Sequence, residues 1–359
     1  MKKTTLLIAA LYTALSLNAQ VWTDAGDLPL YGKASEETVT RYSRMPAELQ
    51  QESRPAVWHL GQNSAGLYIR FRTSSPNIWA RWVSSSKYTM NHMSPTGSRG
   101  LDLYTMVDGK WRFIAAGKPD LKNTLTEQKI LSDMEPQMRE YMLYLSLYNG
   151  IDKLEIGTEE GHPVMPGETA SPKTGRPIVM YGTSITQGGC VSRPGMLYTS
   201  IMSRALDREF INLGFSGNAK LDLDIARLMA SVPNPALYII ACTENASEEE
   251  FKERGEEFFR ILRNAHPEVQ VLFVQSVRYA DMLYNMTRKA SVQGRMKDCR
   301  ELYEKLRKSG EKHVYFADPA GTGTFADAEG SVDGCHLTDL GAMRFAEELL
   351  PVIKKALRK

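Results

Sequence analysis

Hydrophobic and polar residues alternate along 65–71 (AGLYIRF) and 77–83 (NIWARWV), the period-two pattern of half-buried β-strands. Asp108-Gly109 separates LDLYTMV from KWRFIAA, and Asn149-Gly150 separates MLYLSLY from IDKLEIG. Both dipeptides suit tight hairpin turns, because their residues tolerate the left-handed backbone conformation. Several short strands with turns between them predict an antiparallel jelly-roll sandwich over 20–156. Residues 157–177 carry four glycines and four prolines, so 157–176 reads as a linker. Beyond it the rhythm changes. Apolar runs at 177–181, 209–215, 236–242, 269–277 and 313–317 alternate with helical patterns at about 195–207, 222–231, 247–265, 294–309 and 338–357. Buried strands alternating with helices predict a doubly wound α/β domain over 177–359, with a five-stranded parallel sheet and helices on both faces.

In such sheets, sites form at the carboxyl ends of the strands, and the residues there carry chemistry. The first strand ends at Gly182-Thr183-Ser184, the second at Ser216-Gly217-Asn218 and the third at Glu244-Asn245; Asp333 and His336 precede the last helix. Each alone has an ordinary explanation. A serine in a strand-to-helix turn is more often a helix cap than a nucleophile. No lysine follows Gly188 or Gly189, which excludes a phosphate loop, and no G-x-G-x-x-G opens the helix. Together the residues make a different case. A serine hydroxyl attacks only when a neighbouring base takes its proton, and an imidazole serving as that base needs a carboxylate to fix its tautomer. The charge that develops on the attacked carbonyl oxygen needs preorganised donors. The Ser184 and Gly217 amides and the Asn245 side chain are the candidates. Arg193, Glu244, Arg278 and Tyr279, near the same edge, are candidates for substrate contact. Asn91-His92-Met93 belongs to the sandwich and is given little weight.

Composition narrows the partners. Lys2 and Lys3, an apolar Leu6–Leu17 region and a small-residue site at Leu17-Asn18-Ala19 predict a signal peptide over 1–19 and a periplasmic or extracellular destination. The whole chain has 44 Lys+Arg against 42 Asp+Glu; losing Lys2 and Lys3 leaves 42 against 42. A neutral chain without a basic block argues against nucleic acid or an anionic membrane surface as partner, and no later stretch has the length of apolar chain that spans a bilayer. Four cysteines (Cys190, Cys242, Cys299, Cys335) show no metal-binding spacing, and Cys190 with Cys242 is the candidate disulfide. All five tryptophans lie in the first half, as core residues or as platforms for sugar rings.

The blocks GTSIT, GFSGN, TEN and DGCHLTDLG, in that order, resemble those of the SGNH (GDSL-type) hydrolases. RPAVWHLGQNSAGLYIRF and GLDLYTMVDGKWRF resemble the β-sandwich that precedes this catalytic domain in secreted bacterial members. The resemblance implies a flavodoxin-like hydrolase domain. It also implies a Ser184–His336–Asp333 triad, an oxyanion hole from Ser184, Gly217 and Asn245, and no metal or organic cofactor. It points to an acylated carbohydrate as substrate, with a lipase or lysophospholipase, or a non-catalytic glycan-binding protein, as alternatives. The third block departs from the usual G-x-N-D: Thr243-Glu244-Asn245-Ala246 keeps the asparagine and puts Glu244 at the mouth of the site, either repelling anionic substrates or facing solvent.

Overall fold

The computed structural model describes residues 20–319 and 329–358; the leader peptide expected over 1–19 lies outside them. Ten strands build the first half: β1 (Gln20–Asp24), β2 (Leu30–Tyr31), β3 (Tyr68–Thr73), β4 (Ile78–Ser84), β5 (Leu101–Val107), β6 (Lys110–Gly117), β7 (Leu125–Leu131), β8 (Arg139–Tyr144), β9 (Ile151–Glu159) and β10 (Met165–Pro166). They form two sheets, β1-β9-β4-β7 and β10-β3-β8-β5-β6, with β2 added beside β3. In β4 the period-two pattern is realised: Ile78, Ala80 and Trp82 are fully buried, and they pack with Phe71, Leu103, Leu143 and Ile156 between the sheets.

Asp108 and Gly109 both take positive φ (50° and 71°) and close the β5–β6 hairpin, where Val107 pairs with Lys110. Asn149-Gly150 does not form a hairpin. β8 pairs with β3 and β5, whereas β9 pairs with β1 and β4, so the turn carries the chain from one sheet to the other. The glycine- and proline-rich segment after it is tied down: β10 pairs with β3, and Arg70 donates to the Thr169 and Ser171 carbonyls.

Two short helices interrupt this half, α1 (Pro55–Gly61) and α2 (Pro95–Ser98). Val57 and Trp58 of α1 pack into the core of the second half. Of the other tryptophans, Trp82 is in the sandwich core and Trp111 is buried against Tyr68 and Tyr104. Trp22 lies under Arg81 and Trp79 under Lys129. None of the five lines the cleft described below.

The second half is a parallel sheet, β11 (Lys173–Gly182), β12 (Arg208–Gly214), β13 (Leu237–Ala241), β14 (Gln270–Val274) and β15 (Val314–Ala317), in the order β12-β11-β13-β14-β15. The fold is therefore the α/β, flavodoxin-like type with an antiparallel sandwich in front. After β11 comes the one-turn helix α3 (Ser184–Gln187), and then α4 (Tyr198–Leu206), α5 (Leu223–Ser231), α6 (Glu248–Ala265), α7 (Met286–Lys308) and α8 (Asp339–Leu357). The apolar residues of each strand alternate between two cores. Val179 and Tyr181 meet α5, α6 and α7 on one face; Ile178 and Met180 meet α4 and α8 on the other. That alternation also decides the cysteines. Cys242 and Cys299 lie in the first core and Cys190 in the second, so the sheet stands between Cys190 and Cys242. All four thiols are free, and the candidate Cys190–Cys242 disulfide does not form.

Candidate active site

Ser184 opens α3 directly after β11. Its backbone is fixed because the Thr183 hydroxyl accepts the Ile185 N–H (3.4 Å) and because Gln187 N–H and Gly188 N–H return to the Thr183 and Ser184 carbonyls (2.9 Å each). Tyr148, from the turn that changes sheets, donates its hydroxyl to the Ser184 carbonyl (3.3 Å). The Ser184 Oγ lies 2.8 Å from His336 Nε2. On the far side of the ring, His336 Nδ1 meets Asp333 Oδ2 at 2.7 Å. Asp333 Oδ1 accepts the backbone N–H groups of Cys335 (3.0 Å) and His336 (2.8 Å). Partial burial works to raise the Asp333 carboxyl, but the hydrogen bonds from His336 and Cys335 outweigh it and hold the group below the usual carboxylate range. An ionised Asp333 fixes the proton of His336 on Nδ1 and leaves Nε2 free to accept one, as a general base requires.

Gly217 and Asn245 join the same cleft. Gly217 has φ +68°, and a Cβ there would meet nothing within 4 Å, so backbone conformation rather than crowding selects glycine. The neighbouring Ser216 N–H is taken by Gln187 Oε1 (2.9 Å). Among the described residues, no acceptor takes the Ser184 or Gly217 N–H. Asn245 accepts the Ala219 N–H with Oδ1 (3.2 Å), which leaves its Nδ2 for the cleft. Ser184, Gly217 and Asn245 thus line one cleft.

The other candidates fall in different places. Glu244 lines the cleft but does not face solvent. It is buried, its Oε1 accepting the Val277 N–H (3.1 Å) and its Oε2 the Thr183 hydroxyl (3.4 Å). Burial pushes its carboxyl up, against the hydrogen bonds that favour the ionised form. It ties β13 and β14 to the turn holding Ser184. Arg193 is not in the cleft: it donates to Asp102 Oδ2 (2.7 Å) and the Tyr104 hydroxyl (2.8 Å) and lies over the Phe113 ring, bracing the sandwich against the hydrolase domain. Arg278 is exposed and lines a neighbouring cavity of about 870 Å³, while Tyr279 borders both that cavity and the Ser184 cleft. Cys190 and Cys335 are pushed up to about 12, chiefly by burial, which without a metal disfavours the thiolate that a nucleophile needs.

The sandwich also contributes to the site. His92 reaches the site and sets its ring edge-on against that of His336, centroids 5.8 Å apart. Tyr148 backs Ser184, and Asp281 and Arg288 complete the wall. Asn91-His92-Met93 was the visible signal for His92, but a loop's reach depends on how two halves of the chain dock.

A parallel α/β sheet presenting a hydrogen-bonded Ser–His–Asp chain fits a hydrolase of the acyl-transfer class. Residues 175–354 match the GDSL-like Lipase/Acylhydrolase family and residues 20–164 match the GxDLY family, the N-terminus of SGNH-hydrolase-type esterases. The chain belongs to the GDSL-like lipase/acylhydrolase family and is a carboxylic ester hydrolase. A crystal structure of a protein from Bacteroides ovatus described as a GDSL-like lipase is 34% identical, with a TM-score of 0.89 over 95% of this chain and 98% of that one. A salicylyl-acyltransferase from a tetracycline biosynthetic pathway is 19% identical, with a TM-score of 0.74 over 94% and 99%. A family two carbohydrate esterase from Clostridium thermocellum in complex with cellohexaose is 14% identical, with a TM-score of 0.57 over 82% and 93%. The last two share the fold. No curated protein matches the sequence.

Proposed function

We propose that this hydrolase removes short acyl groups, O-acetyl above all, from carbohydrates outside the cytoplasm, with Ser184 as nucleophile. The observation that carries the reading is the wall of the Ser184 cleft. About 500 Å³ in volume, it is lined chiefly by polar and charged residues, among them Ser216, Glu244, Asn245, Asp281, Arg288 and Asp333. An acetyl group needs little apolar burial, and a sugar finds donors and acceptors along this wall. Carbohydrate esterases occur among solved structures of the same fold, which supports the substrate class. The leader peptide read in 1–19 supports the location.

The chemistry follows from the distances. Ser184 Oγ attacks the ester carbonyl while its proton passes to His336 Nε2, 2.8 Å away. Asp333 holds the ring and stabilises its charge. The oxyanion takes hydrogen bonds from the Ser184 and Gly217 amides and Asn245 Nδ2. Collapse expels the sugar hydroxyl, which receives the proton from His336. Water then attacks the acyl-enzyme, with His336 again as base, and releases the carboxylic acid.

The test is acetate release from a panel of acetylated oligosaccharides, beside p-nitrophenyl esters of increasing chain length. Activity should fall steeply beyond short chains. Ser184→Ala should lose hydrolysis and labelling by a fluorophosphonate while keeping its thermal midpoint. A preference for long chains would overturn the substrate reading; an active Ser184→Ala would overturn the mechanism.

A further inference from the structure

Three segments far apart in sequence bring one donor atom each to the flank of the Ser184–His336 pair. His92 comes from the sandwich, Cys190 from the loop after α3, and His336 from the loop before α8. Their ligand-type atoms all lie within 4.8 Å of one another. The mechanism uses His336 and leaves the other two unexplained. His92 Nδ1 is buried and has no hydrogen-bond partner. The Cys190 thiol is buried in a loop held by its own N–H bond to the Leu337 carbonyl (2.9 Å), next to His336.

His336 is dressed as a metal ligand as well as a base. With Asp333 on Nδ1, its free Nε2 lone pair has the carboxylate–histidine arrangement that orients metal-binding imidazoles. We propose that His92, Cys190 and His336 form a site for a thiophilic divalent cation, Zn²⁺ being the type, and that its occupancy draws His336 away from Ser184 and silences the enzyme. Two imidazoles and a thiolate select Zn²⁺ over Mg²⁺ or Ca²⁺, which prefer oxygen. Tetrahedral Zn²⁺ with ordinary bond lengths needs donors about 3.3–3.8 Å apart, so movements of about an ångström close the set. Three protein ligands leave a fourth position for water. Coordination breaks the Ser184–His336 hydrogen bond, because one lone pair cannot serve both a proton and a metal. The silencing rests on the catalytic reading above; the binding does not.

The experiment uses full-length mature protein freed of metal with a chelator. Titration with Co²⁺ should give a thiolate-to-cobalt charge-transfer absorption in the wild type and in Ser184→Ala, absent in Cys190→Ala. In His92→Ala binding should weaken at least about tenfold, the scale of loss seen even for outer-shell partners of metals. Zn²⁺, but not Ca²⁺, should inhibit p-nitrophenyl acetate hydrolysis reversibly with EDTA. The half-inhibitory concentration should rise at least about tenfold in His92→Ala and Cys190→Ala. Cys190→Ser, similar in volume, serves if the alanine variant does not fold. No absorption in the wild type, or the same absorption without Cys190, overturns the site. Absorption with undiminished hydrolysis overturns the silencing. A protein inert toward every ester yet giving the cobalt spectrum keeps the metal site and sinks the esterase reading alone.

Discussion

Asn245 accepts the Ala219 N–H with its amide oxygen, and in the proposed mechanism its amide nitrogen is an oxyanion donor. Asn245→Ala should therefore cut turnover by about 10²–10³, while the lost bond to Ala219 costs stability only about 1 kcal/mol. Turnover of p-nitrophenyl acetate beside a thermal melt separates the two, and a loss under about tenfold would remove Asn245 from the oxyanion site. Residue types and order made Ser184, Asp333 and His336 legible, since few other patterns place a serine, an asparagine and an Asp-x-x-His at successive strand ends. Glu244 was visible as a departure but not as a brace. Its direction is set by Val277 and Thr183, 33 and 61 residues away, and no local pattern encodes that.

At the scale of elements, the position of the nucleophile depends on how closely α3 lies on β12. A Cβ on Gly214 would come within 2.3 Å of the Gln187 backbone nitrogen and 2.6 Å of the Thr186 carbonyl carbon, and backbone atoms cannot turn aside as a flexible side chain can. Gly214→Ala should thus push α3 outward, costing about 1–3 kcal/mol and lowering turnover while leaving the cleft's composition intact. A fluorophosphonate labelling rate equal to that of the wild type would refute this. The parallel strands were readable because strands buried on both faces are continuous apolar runs. The Asn149-Gly150 turn joins two sheets instead of closing a hairpin for a general reason: a turn dipeptide announces a reversal but not which sheet receives the next strand. α7 begins at Met286 rather than near 294, because its exposed first turns carry no apolar stripe.

For the molecule as a whole, buried polar groups lock the two halves together. Arg44, fully buried, donates to the Leu60 and Asn63 carbonyls on one side and to Asn212 and Gly214 on the other. Asp102 holds Arg193 and the Gly195 N–H, and Glu209 takes the Gly32 N–H at 2.6 Å. Burial raises Asp102 to about 6 and Glu209 to about 7. A raised carboxyl binds its proton more tightly folded than unfolded, so its contribution to stability is greatest below the unfolded value and declines as pH rises through the folded one. For Glu209 that window runs from 4.5 to about 7. Glu209→Gln keeps the acceptor and removes the titration, and should flatten the fall of the thermal midpoint across this window. An unchanged slope would show that Glu209 does not contribute to it.

Two periodicities, turn dipeptides and the spacing of a few polar residues determined the sandwich, the parallel sheet and the edge on which the chemistry collects, because hydrophobic patterning acts over a few neighbouring residues. The docking of the halves decided the rest: Arg193 as a brace, Glu244 turned inward, Cys190 kept from Cys242 by the sheet, and His92 brought beside His336. Those outcomes depend on contacts between residues tens to hundreds of positions apart. Such contacts are chosen by close packing and the satisfaction of buried polar groups in three dimensions, which no local pattern along the chain expresses.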